Sequence, residues 1–373
     1  MEENEKVIPW LVLKSAAGIG DVTYKRLVER FGSPSEVLAA PESDLLKVEG
    51  VGPRICAGLR SAVPTPEMNL EVDRLNRNEA RFIPILDGDY PEGVRQIHDP
   101  PPFIYVKGEF RPEDRLAVAI VGSRRCTEYG RGAAFRLAWD LASRGFTVVS
   151  GLARGIDTAA HQGALEAGGR TIGVLGCGLD VGYPIESDRL KKSMEDRGVL
   201  VTEFPMGTGP DPVNFPKRNR LISGLSLGVV VVEAAERSGA LITASFALEQ
   251  GREVFAVPGP IGALTSRGTH HLIKQGAKLV DGVEDIIEEL QVAARPSARE
   301  RPDEALGPND RDGAGLSVEE NKVYSLLSHN PQHVDHLITQ TNLSPSTMTG
   351  LLLQLELKGK ARQLPGFQYI RGN

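Results

Sequence analysis

Seven short apolar runs occupy the middle of the chain, and the spacing between them predicts the fold. Between residues 116 and 290 the segments LAVAIVG, TVVSG, TIGVLG, VLVTE, GVVVVEA, EVFAVPG and AKLVDG alternate with amphipathic stretches of helical period. The runs are nearly unbroken in Val, Ile and Leu, as strands must be when helices cover both faces of a sheet. The pattern therefore predicts an α/β domain with a doubly wound, mostly parallel sheet. Two further strand-like runs, residues 82–86 and 103–107, stand upstream and are expected to extend that sheet.

The flanks carry other periods. Residues 1–63 read as short helices, within which LKSAAGIG (13–20) and LLKVEGVG (45–52) each end in Gly-apolar-Gly before a new helical stretch. This resembles tandem helix-hairpin-helix motifs of a SAM-like domain, in which glycines permit the tight turn and the next helix start can face a phosphate. Only Lys25, Arg26 and Arg54 stand nearby, so the reading puts structural use ahead of DNA contact. Residues 64–290 form the extended α/β domain, and 291–316, polar and rich in Pro, Gly and charge, read as a flexible linker. Residues 317–373 read as helix (317–328), helix (334–340), the turn TNLSPS, helix (345–357) and two short strands around LPGF. That order is a winged helix-turn-helix. Its Lys322, Lys358, Lys360, Arg362 and Arg371 are nearly balanced by Glu319, Glu320, Asp335 and Glu356, which suits partner contact or auxiliary DNA binding better than duplex reading.

A formal net charge of -6 means that any nucleic-acid surface must be local. Cys56, Cys126 and Cys177 are isolated, so neither a disulfide framework nor a metal site is expected, and a reducing cytoplasm fits. The acidic start and the lack of a long apolar run lead us to expect no secretory signal and no membrane span. There is no GxxxxGK[ST], GxSxG or HExxH pattern, and GCGLDVG (176–182) is only a loose dinucleotide fingerprint after the wrong strand. No catalytic residue and no cofactor are expected.

Ligands of open α/β sheets bind at the carboxyl ends of the strands, so the loops there carry the candidates. The first offers Ser123, Arg124 and Arg125; the second, SGLARGID, offers Gly151 and Arg154 and opens onto a helix containing Asp157 and His161. The third sets Lys217, Arg218 and Arg220 around Asn219, three cations within four residues. The fourth brings Ser238, Gly239 and Thr243 to a helix start, and a fifth adds Arg267. Asp157 reads as a helix-start residue holding amides and His161 as packed, whereas Glu233 either orients a loop or reads a base. Phe215 and Tyr129 are the rings able to stack on a base, worth about 1–3 kcal/mol each.

The segments YPEGVRQIHDPPPFIYVKG, AIVGSRRCTEYG, VVSGLARGIDTAAHQGAL, NFPKRNRLISGLS, VVEAAERSGALITASFALEQGREVFAVPG and GTHHLIKQGAKLV form an ordered set within residues 90–280. By them the chain resembles the bacterial DprA/Smf DNA-processing family. The resemblance implies a Rossmann-like domain that binds single-stranded DNA with little sequence preference, a homodimer, and loading of the RecA recombinase during natural transformation. It implies DNA contacts at Ser123, Arg124, the Gly151 turn, residues 217–220, Ser238 and Gly239. The chain departs from the family pattern at Glu186 and Ser187, and at His270, where Asn is usual. Two alternatives stand beside it: a nucleotide-processing enzyme resembling nucleoside monophosphate phosphoribohydrolases, whose PGGxGT-type run is missing from EAAERSGALITA, and a winged-helix regulator of duplex DNA.

Overall fold

The computed structural model describes residues 2–184, 188–194, 197–290, 316–327, 332–341, 343–364 and 366–371. The chain divides into two compact units, Met1–Arg299 and Glu300–Asn373. Apart from Leu316, the segment expected to be a linker lies outside the described residues.

The first unit begins with α1 (Glu2–Ser15), α2 (Asp21–Phe31), α3 (Pro34–Ala39), α4 (Glu42–Leu45), α5 (Pro53–Ser61) and α6 (Pro66–Arg77). The hairpin glycines act as read: Gly18 and Gly50 take φ of +88° and +87°, and Gly20 and Gly52 are the N-caps of α2 and α5. A Cβ on Gly58 would stand 2.7 Å from the Ala17 carbonyl oxygen, so the two hairpins approach backbone to backbone.

Nine strands follow: β1 (Arg81–Pro84), β2 (Phe103–Gly108), β3 (Ala117–Val121), β4 (Thr147–Ser150), β5 (Thr171–Val174), β6 (Gly198–Thr202), β7 (Gly228–Val231), β8 (Glu253–Ala256) and β9 (Lys278–Leu279). Their order in the sheet is β1-β2-β6-β5-β4-β3-β7-β8-β9. From β6 to β9 every pairing is parallel, and β2 and β1 extend the β6 edge antiparallel. The helices between them are α7 (Glu92–Arg95), α8 (Glu128–Ser143), α9 (Ile156–Glu166), α10 (Asp188–Met194), α11 (Asn214–Gly224), α12 (Gly239–Glu249) and α13 (Arg267–Lys274), and α14 (Val283–Leu290) follows β9.

Alternate strand residues serve opposite faces, as the pleat requires. Val118, Ile120, Val148 and Val230 pack against α8, α9 and α14, through side chains such as Leu137, Ile156 and Ile286. Ala119, Val121, Val149 and Val231 face the other way, in one continuous core with Ile222 of α11, Ala244 of α12 and Leu13, Tyr24 and Leu27 of the N-terminal helices. The chain runs outward from β3 through β4 and β5 to β6, then returns to lay β7, β8 and β9 on the other side. The direction of winding therefore switches between β3 and β7, the place where such sheets leave a crevice.

The second unit holds α15 (Val318–Leu326), β10 (Gln332–His333), α16 (Val334–Thr341), α17 (Pro345–Leu357), β11 (Ala361–Leu364) and β12 (Gln368–Arg371), with a small antiparallel sheet ordered β10-β12-β11. Tyr324, Leu337, Met348, Leu352 and Leu355 form its core. This is the winged helix-turn-helix arrangement expected, with β10 as an additional short strand. Among the described residues no helix is long and apolar enough to cross a membrane.

Candidate nucleic-acid interface

Two adjoining cavities open at the β3/β7 switch point. The wider, about 620 Å³, is lined by Ser123, Arg124 and Arg125 after β3, by Phe215, Arg218 and Asn219 of α11, and by Ser238, Gly239 and Thr243 at the start of α12. The narrower, about 320 Å³, takes Gly151 and Arg154 from the loop after β4 and shares Arg124, Arg125, Tyr183 and Phe215 with its neighbour. Most residues singled out in the sequence thus meet at one edge of the sheet.

Those on α11 do not act together, because successive helix residues point about 100° apart. Lys217 is exposed on the first turn. Arg218 is only 4% exposed, its guanidinium donating to the carbonyl oxygens of Gly151, at 2.7 Å, and Val174. Burial lowers its pKa to about 10, opposed by the Asp157 carboxylate, so it remains a cation at neutral pH beneath the cavity floor. Arg220 points away from both cavities, ion-paired with Glu203 at 2.6 Å, Asp99 at 3.3 Å and Asp21 at 3.4 Å. Three cations in sequence therefore become one exposed to solvent, one beneath the crevice and one behind it.

The Gly-rich loop after β4 also differs from its simplest reading. Asp157 Oδ2 accepts from the amides of Gly151, at 3.1 Å, and Ala153, at 3.3 Å, and burial pushes its carboxyl upward. Those amides are not presented to an outside anion; a side chain of the chain itself holds them. Gly151 is needed for space, since a Cβ there would stand 2.7 Å from Arg218 Nη1. Leu152, in the same loop, takes φ of +55°, an uncommon and strained conformation for a residue with a side chain.

The loop after β3 is braced differently. Ser123 Oγ accepts from the Arg125 amide at 3.1 Å, and the Ser123 carbonyl from the Ile156 amide at 3.3 Å. Arg124 and Arg125 extend from this braced turn and are exposed. At the start of α8, Glu233 accepts from Thr127 through both N, at 2.9 Å, and Oγ1, at 2.6 Å, so its role is to orient the loop. Ser238 caps α12 by accepting from the Ala240 amide at 3.3 Å, and Asn219 Nδ2 donates to Gly239 O at 3.2 Å, tying α11 to α12. The first turn of α12 faces the crevice, where its partial positive charge favours an anion.

Phe215 is more covered than an open stacking platform. The Arg124 guanidinium lies 5.0 Å from its ring centroid, that of Arg218 5.9 Å, and the Tyr183 ring 5.7 Å. Tyr129, 43% exposed, donates its hydroxyl to Pro258 O at 2.8 Å. Tyr183, which lines both cavities, is a ring the sequence reading does not single out: it stands between GCGLDVG, read as a loose dinucleotide fingerprint, and Glu186 and Ser187, read only as departures from the family pattern. His161 is buried, with Nδ1 2.6 Å from Thr171 Oγ1. That hydroxyl donates to Val148 O at 2.7 Å, so Nδ1 carries the ring proton. Desolvation depresses the His161 pKa to about 3, and the ring stays neutral. Arg267 pairs with Glu236 at 3.6 Å, and His270 Nε2 lies 3.0 Å from Gly259 O. Glu186 and Ser187 lie outside the described residues. Among the described residues no group of three or more His, Cys, Asp or Glu is placed to hold a metal ion.

Comparison with known proteins agrees along the chain. The family model of DNA recombination-mediator protein A matches residues 81–291, that of a DprA winged helix domain 307–366, and that of a SAM-like helix-hairpin-helix tandem 11–57. Protein Smf of Escherichia coli is 42% identical over 300 residues, 80% of this chain and 79% of that protein. The X-ray structure of DNA processing protein A from Streptococcus pneumoniae superposes with a TM-score of 0.62 at 34% identity, covering 76% of this chain and 98% of that one. DNA processing protein A from Helicobacter pylori, whose structure was solved for its single-stranded DNA binding mode, gives a TM-score of 0.52 at 29% identity, covering 57% of this chain and 96% of that one.

Proposed function

The chain belongs to the DprA/Smf family of DNA recombination mediators, and from that premise we propose that it captures single-stranded DNA along the crevice between the ends of β3 and β7 and hands it to the RecA recombinase. The observation that carries this reading is the pairing of exposed Arg124 and Arg125 with the open start of α12 around one crevice, above the buried cation of Arg218, while Lys217 is exposed on the same first turn of α11 that gives Phe215 and Pro216 to the lining. Exposed cations take the phosphates, while Arg218, Asp157 and Glu233 hold the loops in place. A base entering beside Phe215 exchanges with the Arg124 guanidinium on that ring and meets Tyr183. Contacts of this kind read the backbone, so sequence preference is weak and affinity falls with salt.

The single-stranded DNA binding mode described for the Helicobacter pylori relative supports this substrate over a duplex. A homodimer extends the groove and raises avidity without new contacts. Exposed Ile261 and Leu264, in the segment before α13, and Leu279, in the edge strand β9, support such an association. The protein works as a binding mediator in the cytoplasm, with no bound cofactor. The test is a mobility shift on oligo-dT with Arg124→Ala/Lys217→Ala, circular dichroism confirming the fold; undiminished binding overturns the assignment. RecA filament growth on the same oligonucleotide, with and without the protein, tests the hand-over.

A further inference from the structure

Helix α11 is held from two opposite sides. Arg218 hydrogen-bonds to carbonyl groups at the ends of β4 and β5. Arg220, two residues on and therefore about 200° round the helix, has a side chain 5% exposed and enters a cluster of carboxylates from three separate segments. Glu203 comes from the end of β6, Asp99 from the turn before β2, and Asp21 from the first residue of α2, in the N-terminal hairpins. Arg220 Nη1 and Glu203 Oε1 are buried without a hydrogen-bond partner, so the cluster is not saturated and each remaining contact counts. The Arg220 carbonyl in turn accepts from Gln250 Nε2 at 3.1 Å.

We propose that Asp21 is a positioning residue for the crevice: through Arg220 it fixes the rotation of α11, and thereby where Lys217 and Arg218 stand. The inference rests on the crevice reading given above. It gives the hairpins a task in DNA binding that requires no contact with DNA, and their own cations fit that. Arg26 donates to Glu49 O at 3.1 Å and Lys25 to Arg95 O at 3.0 Å. Docking of the N-terminal helices does not hang on Asp21, because Glu71 of α6 accepts from the Met206 amide at 2.8 Å and Arg74 donates to Met206 O at 3.2 Å. Asp21 also pairs with Lys14 of α1, a partly exposed contact within the hairpins, so circular dichroism of each Asp21 variant accompanies the binding assay to check the fold.

The sign of the effect separates position from charge. Removing a carboxylate from a protein that binds a polyanion tightens binding if long-range electrostatics is all that changes. Loss of position does the reverse. We expect Asp21→Asn in the full-length chain to weaken oligo-dT binding about fivefold, a coupling of ordinary size between packed elements. Asp21→Glu restores most of it. In a Lys217→Ala background the same Asn substitution costs less than about twofold, because its route to the strand is already cut. Wild-type or tighter binding by Asp21→Asn, with Lys217→Ala weakened, overturns the positioning role and leaves the crevice standing. Equal losses in both backgrounds overturn it too. If Lys217→Ala itself binds normally, this inference falls; if Arg124→Ala/Lys217→Ala does too, the crevice reading falls with it.

Discussion

The crevice and the winged unit both present helix starts and basic residues, yet they use their charge in opposite ways. At the crevice Arg124 and Arg125 face solvent in the lining of a cavity of about 620 Å³, and Lys217 is exposed in sequence between its lining residues Pro216 and Arg218. In the winged unit Lys358 is held by Glu320 at 2.8 Å, Lys322 donates to Thr341 O at 3.3 Å, and Arg371 lies 4.3 Å over the Tyr324 ring. The outer face of α17 carries Leu353 and Leu357, 56% and 81% exposed, where a duplex reader would carry cations. Cations engaged internally stabilise a fold; only those left on a rim are available to a phosphate chain.

The comparison breaks most visibly if the crevice cations are dispensable. Arg124→Ala/Lys217→Ala should weaken oligo-dT binding about a hundredfold and flatten its salt dependence by roughly two phosphate contacts, measured by titration at several salt concentrations. Gly151→Ala should cost about 2 kcal/mol of stability by forcing the Arg218 guanidinium from its place, and weaken binding with it; denaturant midpoints and the same titration check both. Acid offers a third contrast. His161 is held at about 3 instead of 6.5, so between those values the unfolded chain takes up a proton that the folded chain refuses. That contribution falls as pH drops from 6.5 toward 3, by up to about 1.4 kcal/mol per pH unit. Asp157 and Glu203, pushed up by burial, titrate in the opposite sense, so the readout is the difference in slope between His161→Gln and the parent chain. The carboxylate of Glu320 in the winged unit is held below its ordinary range by Lys358, and its contribution is lost only in stronger acid. The smallest effect is expected on deleting residues 291–373: oligo-dT affinity should stay within about threefold, a shift under 1 kcal/mol, and a collapse of binding would give the winged unit the leading role.

The strands of the main sheet were legible because burial on both faces leaves little choice but Val, Ile and Leu; β3 to β9 stand where the apolar runs stand. The helix α6 was hidden by the prolines around it, although Pro66 sits at a helix start, where it is tolerated. At the candidate site, the sequence singled out loops that the fold gathers around one crevice and left open what each side chain does. PKRNR reads as a single basic cluster, and only the helical turn reveals that Arg218 and Arg220 face opposite ways. Nothing local marks Gly151 as the space for a guanidinium arriving from residue 218, because that contact spans 67 positions. Glu233 and Thr127 are likewise joined only in the fold, across 106 positions.

The carboxylate of Asp157, lodged against the amides of the β4 loop, works as a built-in plug. A solitary mononucleotide, which would depend on such amides to hold its one phosphate group, finds that seat taken and must make do with scattered side chains. A long strand can engage several of those side chains at once, each adding to the hold of the others. If the crevice takes a DNA strand as proposed, it would favour polymer over monomer, and the free nucleotide pool of a cell would be a poor competitor for it.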